Sequence, residues 1–423
     1  MDAATTNGAP RIDAPARRGW IVTFAGTGVN LALGVLYAYS VFKAAIIREV
    51  ESGAWHWDKA SLNDPYAVAC IVFALVMIAA GRMQDRIGPR LTASLGGVLT
   101  GLGFVVAALS SSLWVWILGF GLLAGSGIGL AYAAATPPAV KWFPPSRTGL
   151  IAGLVVAGFG LASAYISPLA NWLLASLGIR TAMIVFGAAF FVAVVLLSQW
   201  LVNPPEGYTP TSNGPQGGSA AVQAAPSADY APGTMLRTPT FYLLWVIYFI
   251  GAGAGLMIIG NVAGMAKQGL GDWAWVAVTV LAFGNAGGRI TAGVLSDRIG
   301  RSRTLLIMLL FQALLMFLLI GLPKASAPLM LAAATLIGFN YGSNLSLFPS
   351  ATKDYFGLKN FGVNYGLVFT AWGAGGLVLS RVSQMIVATT GSYDYSYVAS
   401  GCLLVVGAML TFAIRAPASD AGG

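Results

Sequence analysis

Arg289 and Asn285 lie four residues apart in the apolar stretch 273–295, so a helix would set both on one face. Arginine can grip a carboxylate through two parallel N–H bonds. Asparagine adds an amide donor and acceptor suited to a carboxylate oxygen or a 2-hydroxyl. The chemistry this pair offers is recognition of a small acid. A charged side chain at mid-membrane depth costs about 2.5–3.5 kcal/mol on insertion scales and marks a functional site by default. The usual partner of a buried arginine is a carboxylate, yet all 14 Asp and Glu fall outside the cores of the apolar spans. The missing carboxylate is then one that the substrate brings. The competing reading, that Arg289 snorkels to headgroups, requires a reach of about 12 Å along eight residues to Asp297, too far for an easy stretch.

Other side chains can complete such a pocket. Tyr132 and Tyr341 fall at mid-span, away from the interfacial belts where tyrosine concentrates. Each can donate a phenolic hydrogen bond to a carboxylate, or instead pack and bond a neighbouring backbone. Tyr37 is a candidate for the outer pocket, and Phe369 and Trp372 for its apolar walls. Arg381 sits nearer a span end, where snorkelling is favoured over anion capture. Covalent catalysis has no foothold: there is no G-x-S-x-G elbow, H-E-x-x-H or Walker-type loop. A single histidine, His56, and two distant cysteines, Cys70 and Cys402, leave little for a metal site. The expectation is no enzyme, no cofactor and no metal.

The elements that must position these residues are membrane helices. Of 423 residues, 57% are hydrophobic and only 9% charged, with 54 glycines; soluble chains carry nearer 25% charge, and small residues let membrane helices pack closely. Apolar runs predict twelve spans near 19–45, 61–82, 90–110, 112–140, 147–174, 178–202, 239–267, 273–295, 302–322, 327–353, 361–388 and 393–415. The expected fold class is an all-α integral membrane protein of two six-helix, pseudo-symmetric halves. Its domains are a tail (1–18), a first bundle (19–202), a Pro/Gly/Ser/Ala-rich linker (203–237), a second bundle (238–415) and a tail (416–423). Fifteen Lys and Arg fall on the side of the termini and linker and six on the other. The positive-inside rule therefore puts both termini in the cytoplasm. The net charge of +9 reflects those loops and membrane lipid rather than nucleic acid.

The halves repeat. GRMQDRIGPR at 81–90 returns as GVLSDRIGRSR at 293–303, an offset of 212, and KWFPPSRTGLIAG from Lys141 matches DYFGLKNFGVNYG from Asp354 at 213. Tandem repeats of this kind place a binding site between the halves near mid-membrane. The charged residues Asp85, Arg86, Asp297 and Arg298, with Gly81 and Gly293, suit a loop in which a carboxylate meets a helix N-terminus and a nearby arginine. Such contacts can bias an inward–outward equilibrium, or simply set topology.

The doubled G-x-x-x-D-R-x-G loops and the twelve spans resemble the major facilitator superfamily over residues 19 to 415. The segments WFPPSRTGLIAG, MLRTPTFYLLW, FGNAGGRITAGVLSDRIGR and LFPSATKDYFG resemble its oxalate/formate antiporter and monocarboxylate porter branch, most of all bacterial homologues of the lactate porters. The resemblance implies a twelve-helix major facilitator fold in the inner membrane. It also implies that Arg289 binds the substrate carboxylate, with Asn285, Tyr132 and Tyr341 beside it. Two positions depart from that pattern. Trp372 stands where the oxalate carrier has a lysine, leaving one fixed cation, so a monoanion would be neutralised and a dianion would not. Asn285 stands where animal monocarboxylate porters have an aspartate, which removes an Asp–Arg proton switch. The expected function is secondary active transport of small monocarboxylates such as L-lactate, by alternating access. Symport would carry the proton on the substrate or on an edge acid such as Asp64 or Asp272. The alternatives are an oxalate/formate-type anion exchanger and a non-transporting receptor on the same fold.

Overall fold

The computed structural model describes residues 14–210, 229–259, 269–273, 275–321, 326–390 and 392–415. Residues 1–13 of the first expected tail, the whole of the second (416–423), the middle of the expected linker and the end of the seventh expected span lie outside them. Ten helical stretches among the described residues are long and apolar enough to cross a membrane. They are α1 (Arg17–Glu51), α2 (Ser61–Ile87), α3 (Pro89–Ala108), α4 (Leu113–Lys141), the stretch Pro145–Ser198, α7 (Pro239–Ile259), α8 (Trp275–Ile299), α9 (Arg301–Ile320), α11, which continues to Phe361–Thr390, and α12 (Asp394–Ala413). Pro145–Ser198 holds two spans, because Gly178 turns the chain at φ +74°, a region glycine enters without steric cost. We label them α5 (145–177) and α6 (179–198). The twelfth helix, α10 (Ala327–Phe356), carries a run of buried polar residues, among them Asn340, Ser343, Asn344, Ser346 and Ser350, which lowers its apolarity. Helical backbone already begins at Ala14, three residues ahead of the span labelled α1 and inside the expected tail.

The two halves meet along two crossings, α2 on α11 and α5 on α8. Both are built from the repeat. A methyl on Gly81 would stand 2.2 Å from the Gly362 carbonyl oxygen, and one on Gly149 would stand 2.3 Å from the Gly293 oxygen. Gly81 and Gly293 are one repeat pair, Gly149 and Gly362 the other, so one backbone-to-backbone contact is made twice. Close approach without side chains is how membrane helices gain packing energy.

The linker is anchored at both ends to equivalent loops of the halves. At its start, the Trp142 indole donates to the Val202 carbonyl (2.9 Å) and its ring faces Tyr208 at 5.2 Å. At its end, Asp229 accepts from the backbone N–H groups of Leu358 and Lys359 at 2.9 and 3.0 Å. Tyr230 donates its N–H to the Phe356 carbonyl at 3.0 Å and accepts from Asn360 and Asn364.

Candidate functional site

The end of the bundle bearing Asp85 and Asp297 is closed. Asp297 accepts from the N–H groups of Gly149 and Leu150 at the start of α5 (2.9 and 3.0 Å) and pairs with Arg301 at 2.7 Å. Arg301 also pairs with Asp354 at 2.7 Å, Lys353 lies 3.5 Å from Asp354, and Lys353 donates to the Thr148 hydroxyl. A carboxylate at a helix N-terminus meets both orphan N–H groups and the positive end of the dipole. Here the helix belongs to the other half. Arg86 and Arg298 are exposed and join no ion pair among the described residues; Arg301 takes the role expected of Arg298. Asp85 is also exposed at its surface, and it accepts from the Gln84 amide. The two repeats thus differ where it counts: Arg301 corresponds to Pro89, and Asp354 to Lys141. Reading those mismatches was the available signal for Arg301 and Asp354.

At the opposite end a cavity of about 210 Å³ enters between α1, α2, α7 and α11. Lys43, Asp64 and Arg381 line it, as do Cys70, Ser380, Tyr37 and Trp372. The Asp64 carboxylate therefore faces the entry route, whereas the Asp272 side chain lies outside the description. Tyr37 sits in a 3-10 turn, Gly34–Ala38, that interrupts α1. This turn shifts the register of α1 and buries the ring.

Arg289 lies beneath that cavity, fully buried. Its Nε donates to the Asn285 side-chain oxygen at 2.8 Å, one Nη to the Val156 carbonyl of α5, and the other Nη to the Tyr37 hydroxyl at 3.3 Å. The guanidinium has five N–H donors, so two remain without a partner among the described residues. The ion pairs among those residues all lie at the closed end, and none involves Arg289. Three neutral acceptors solvate this cation but do not neutralise it. A buried charge without a counter-ion is costly, and an arriving carboxylate would remove that cost.

The expected site residues come together around Arg289. The hydroxyls of Tyr37 and Tyr341 are 2.7 Å apart, and the Trp372 indole donates to Tyr341 at 2.7 Å. Phe369 stacks on Trp372 with centroids 5.1 Å apart. Tyr132 packs edge-on against Phe73 and Phe159, and its hydroxyl makes no hydrogen bond. The free side of Asn285, its amide nitrogen, is likewise buried without a partner. Tyr37 and Trp372 form the cavity floor, and Arg289 lies one layer below. Two further tyrosines, Tyr248 of α7 and Tyr365 of α11, lie in the same aromatic cluster; no local pattern in the sequence marks either of them. Among the described residues no group of His, Cys, Asp and Glu could hold a metal ion.

A family model described as Major Facilitator Superfamily matches residues 19–275 and 264–422. The chain is 27% identical over 315 residues to the oxalate:formate antiporter of Oxalobacter formigenes, covering 74% of this chain and 72% of that one. It is 27% identical over 408 residues to monocarboxylate transporter 11 of Homo sapiens, covering 93% and 82%. Among solved structures it superposes on the proton:xylose symporter XylE bound to 6-bromo-6-deoxy-D-glucose with a TM-score of 0.72, at 13% identity, over 95% of this chain and 96% of that one.

Proposed function

The chain belongs to the Major Facilitator Superfamily, and on that premise we propose that it carries small monocarboxylates such as L-lactate across the inner membrane by alternating access. A multi-pass transporter of the monocarboxylate and oxalate–formate type is the frame; the substrate and the coupling are our reading. One observation carries it: Arg289 is a buried cation with N–H donors to spare and no carboxylate partner among the described residues. A monoanion makes that site neutral and lowers the cost of sealing it away from water. A dianion would leave one charge over, because Trp372 is neutral where a second cation would serve it.

We place the closed end, with both termini, in the cytoplasm on the strength of the loop charges. In this reading the cavity beside Lys43 and Arg381 is the outer entrance. Binding draws the Tyr37–Tyr341 layer over the substrate, and release follows when the contacts of Asp297, Arg301 and Asp354 part. Coupled transport would carry the proton on the substrate carboxyl or on Asp64, which lines the entrance. Because no acid sits beside Arg289 among the described residues, an oxalate/formate-type exchanger is the second reading.

The test is uptake of labelled L-lactate into proteoliposomes, with and without an inward proton gradient, against pyruvate, formate and oxalate as competitors. Gradient-driven uptake that a protonophore collapses supports symport. Uptake that requires internal anion and ignores the gradient supports exchange. No uptake under either condition overturns the lactate reading.

A further inference from the structure

The two ends of the bundle carry their charges differently. At the closed end, carboxylates of the second half meet Arg301 and the N-terminus of α5. At the open end the charges stand apart. Lys43 of α1 and Arg381 of α11 line the cavity, one from each half, and neither joins an ion pair among the described residues. Arg381, expected from its position to snorkel, is a lining residue here. Asp64 of α2 lines the cavity too, so the lining charges sum to +1. These charges belong to the mouth and not to the Arg289 layer. The floor is Tyr37 and Trp372, and the Tyr341 hydroxyl bonds both at 2.7 Å. Arg289 is not among the lining residues. An anion in the cavity therefore meets Lys43 and Arg381 before the floor opens.

Two cations on opposite halves repel across the mouth. Low-dielectric walls focus their field on the space between, and Leu256, Met257 and Ile259 supply such a wall. Lysine offers three N–H donors and arginine five, so the two can hold one anion together. Ser40 stands three residues before Lys43 on the same face of α1 and adds a hydroxyl to the lining. A single negative charge cancels the net +1, whereas a dianion overshoots it. We propose that Lys43 and Arg381 form a second anion site, at the mouth, for a small monoanion that bridges the two halves. Empty, the pair pushes α1 and α11 apart and favours the open mouth. Occupied, the repulsion becomes an attraction from both sides, and the mouth closes over the floor. Chloride and a second molecule of the transported acid offer the same charge, and the experiment tells them apart. The inference rests on the alternating-access reading, in which the mouth must close before the opposite end opens.

The test is a distance across the mouth. Spin labels go on Ser52→Cys and Thr389→Cys, exposed positions at the open end of each half, with Cys70 and Cys402 replaced by serine. Pulsed electron resonance then reads the distance distribution. Sodium chloride and sodium L-lactate are compared with sodium HEPES at equal ionic strength, which holds screening constant. In this parent, chloride or lactate is expected to enrich the short-distance population by about two- to five-fold, the range of an exposed charge pair. A response to chloride names an inorganic monoanion as occupant; a response to lactate alone names a second acid. Lys43→Gln and Arg381→Gln are expected to show the enrichment without any anion, because the repulsion is gone, and no further change when anion is added. Lys43→Arg keeps the charge and should keep the response. Arg289→Gln should respond as the parent does, since the mouth site is intact there. A lactate response that vanishes in Arg289→Gln and persists in Lys43→Gln would place the switch at Arg289 alone, which overturns the mouth site and leaves the carboxylate reading standing. No response to either anion, or an equal one in the parent and both glutamine variants, overturns it as well. Calorimetry with L-lactate on the parent, run alongside, reads the Arg289 site by itself: absent binding there sinks the carboxylate reading, whether or not chloride closes the mouth.

Discussion

The hydroxyl of Tyr37 lies 2.7 Å from that of Tyr341, joining α1 of the first half to α10 of the second directly over Arg289. Donors flank the pair on both sides, the Trp372 indole at Tyr341 and an Arg289 Nη at Tyr37. Two hydroxyls carry two protons and use one between them. Whichever tyrosine donates, one O–H is left over. The layer is therefore rich in donors: a spare phenol proton, two guanidinium N–H groups and the Asn285 amide nitrogen are left without acceptors beside one another.

Tyr341→Phe tests that layer. It removes the acceptor of the Trp372 N–H and the spare proton together. Hydrogen bonds to charged groups contribute about 1.5–3 kcal/mol, so carboxylate binding is expected to weaken by at least ten-fold, with the ring contacts intact. Calorimetry with L-lactate reads the change. An unaltered Kd would show that the layer is a lid with no part in binding.

Arg289→Lys keeps the charge and loses the fork. A lysine cannot hold a carboxylate in two parallel bonds, and its three N–H donors would all be taken by Asn285, Val156 and Tyr37 if it met the same acceptors. Uptake is expected to fall by about 100-fold or more, since two charge-assisted bonds are at stake. The protein should still purify as a folded species, because one buried cation replaces another. Robust uptake by this variant would remove Arg289 from the substrate site.

Much of this arrangement was legible in the residues. Helix lengths follow from the apolar runs, and the break between α5 and α6 falls at Gly178, the first residue of the sixth expected span. The Arg289–Asn285 pairing follows from the four-residue spacing alone. What did not show was pairing across the halves. Arg301 was passed over in favour of Arg298 because the two flank one loop in sequence, while only the placement of α5 decides which of them meets Asp297. Tyr37 and Tyr341 are 304 residues apart, and no local pattern links them. Tyr248 and Tyr365 join the cluster around Phe369 only where α7 and α11 meet.

Gly149→Ala tests the crossing of α5 and α8. Alanine favours a helix over glycine by about 1 kcal/mol, so on local grounds the change should stabilise. The added carbon would stand 2.3 Å from the Gly293 oxygen, so the closed end cannot form as seen. The expected result is lost transport and a shift away from the outward-open state. A thiol reagent applied to Ser380→Cys, with Cys70 and Cys402 replaced by serine, reads this as slower labelling. Gly287→Ala is the control, since nothing lies within 4 Å of a methyl there. Equal behaviour of the two variants would remove the crossing from the gating scheme.

Asp229→Ala tests the linker as a latch. Asp229 gives the turn before α11 what Asp297 gives the start of α5: a carboxylate accepting two backbone N–H groups. The two helices are repeat partners, yet one is capped from the opposite half and the other from the linker. Losing such a cap costs about 1 kcal/mol, with a dipole contribution of about 0.3–1 kcal/mol more. If that energy is spent holding the end closed, the outward-open population falls, and labelling at Ser380→Cys slows by roughly five- to ten-fold, as about 1–1.4 kcal/mol implies. If it only steadies the local turn, the melting temperature drops while the labelling rate stays put. That second outcome would leave Asp297, Arg301 and Asp354 as the whole of the closed-end lock and reduce the linker to a tether.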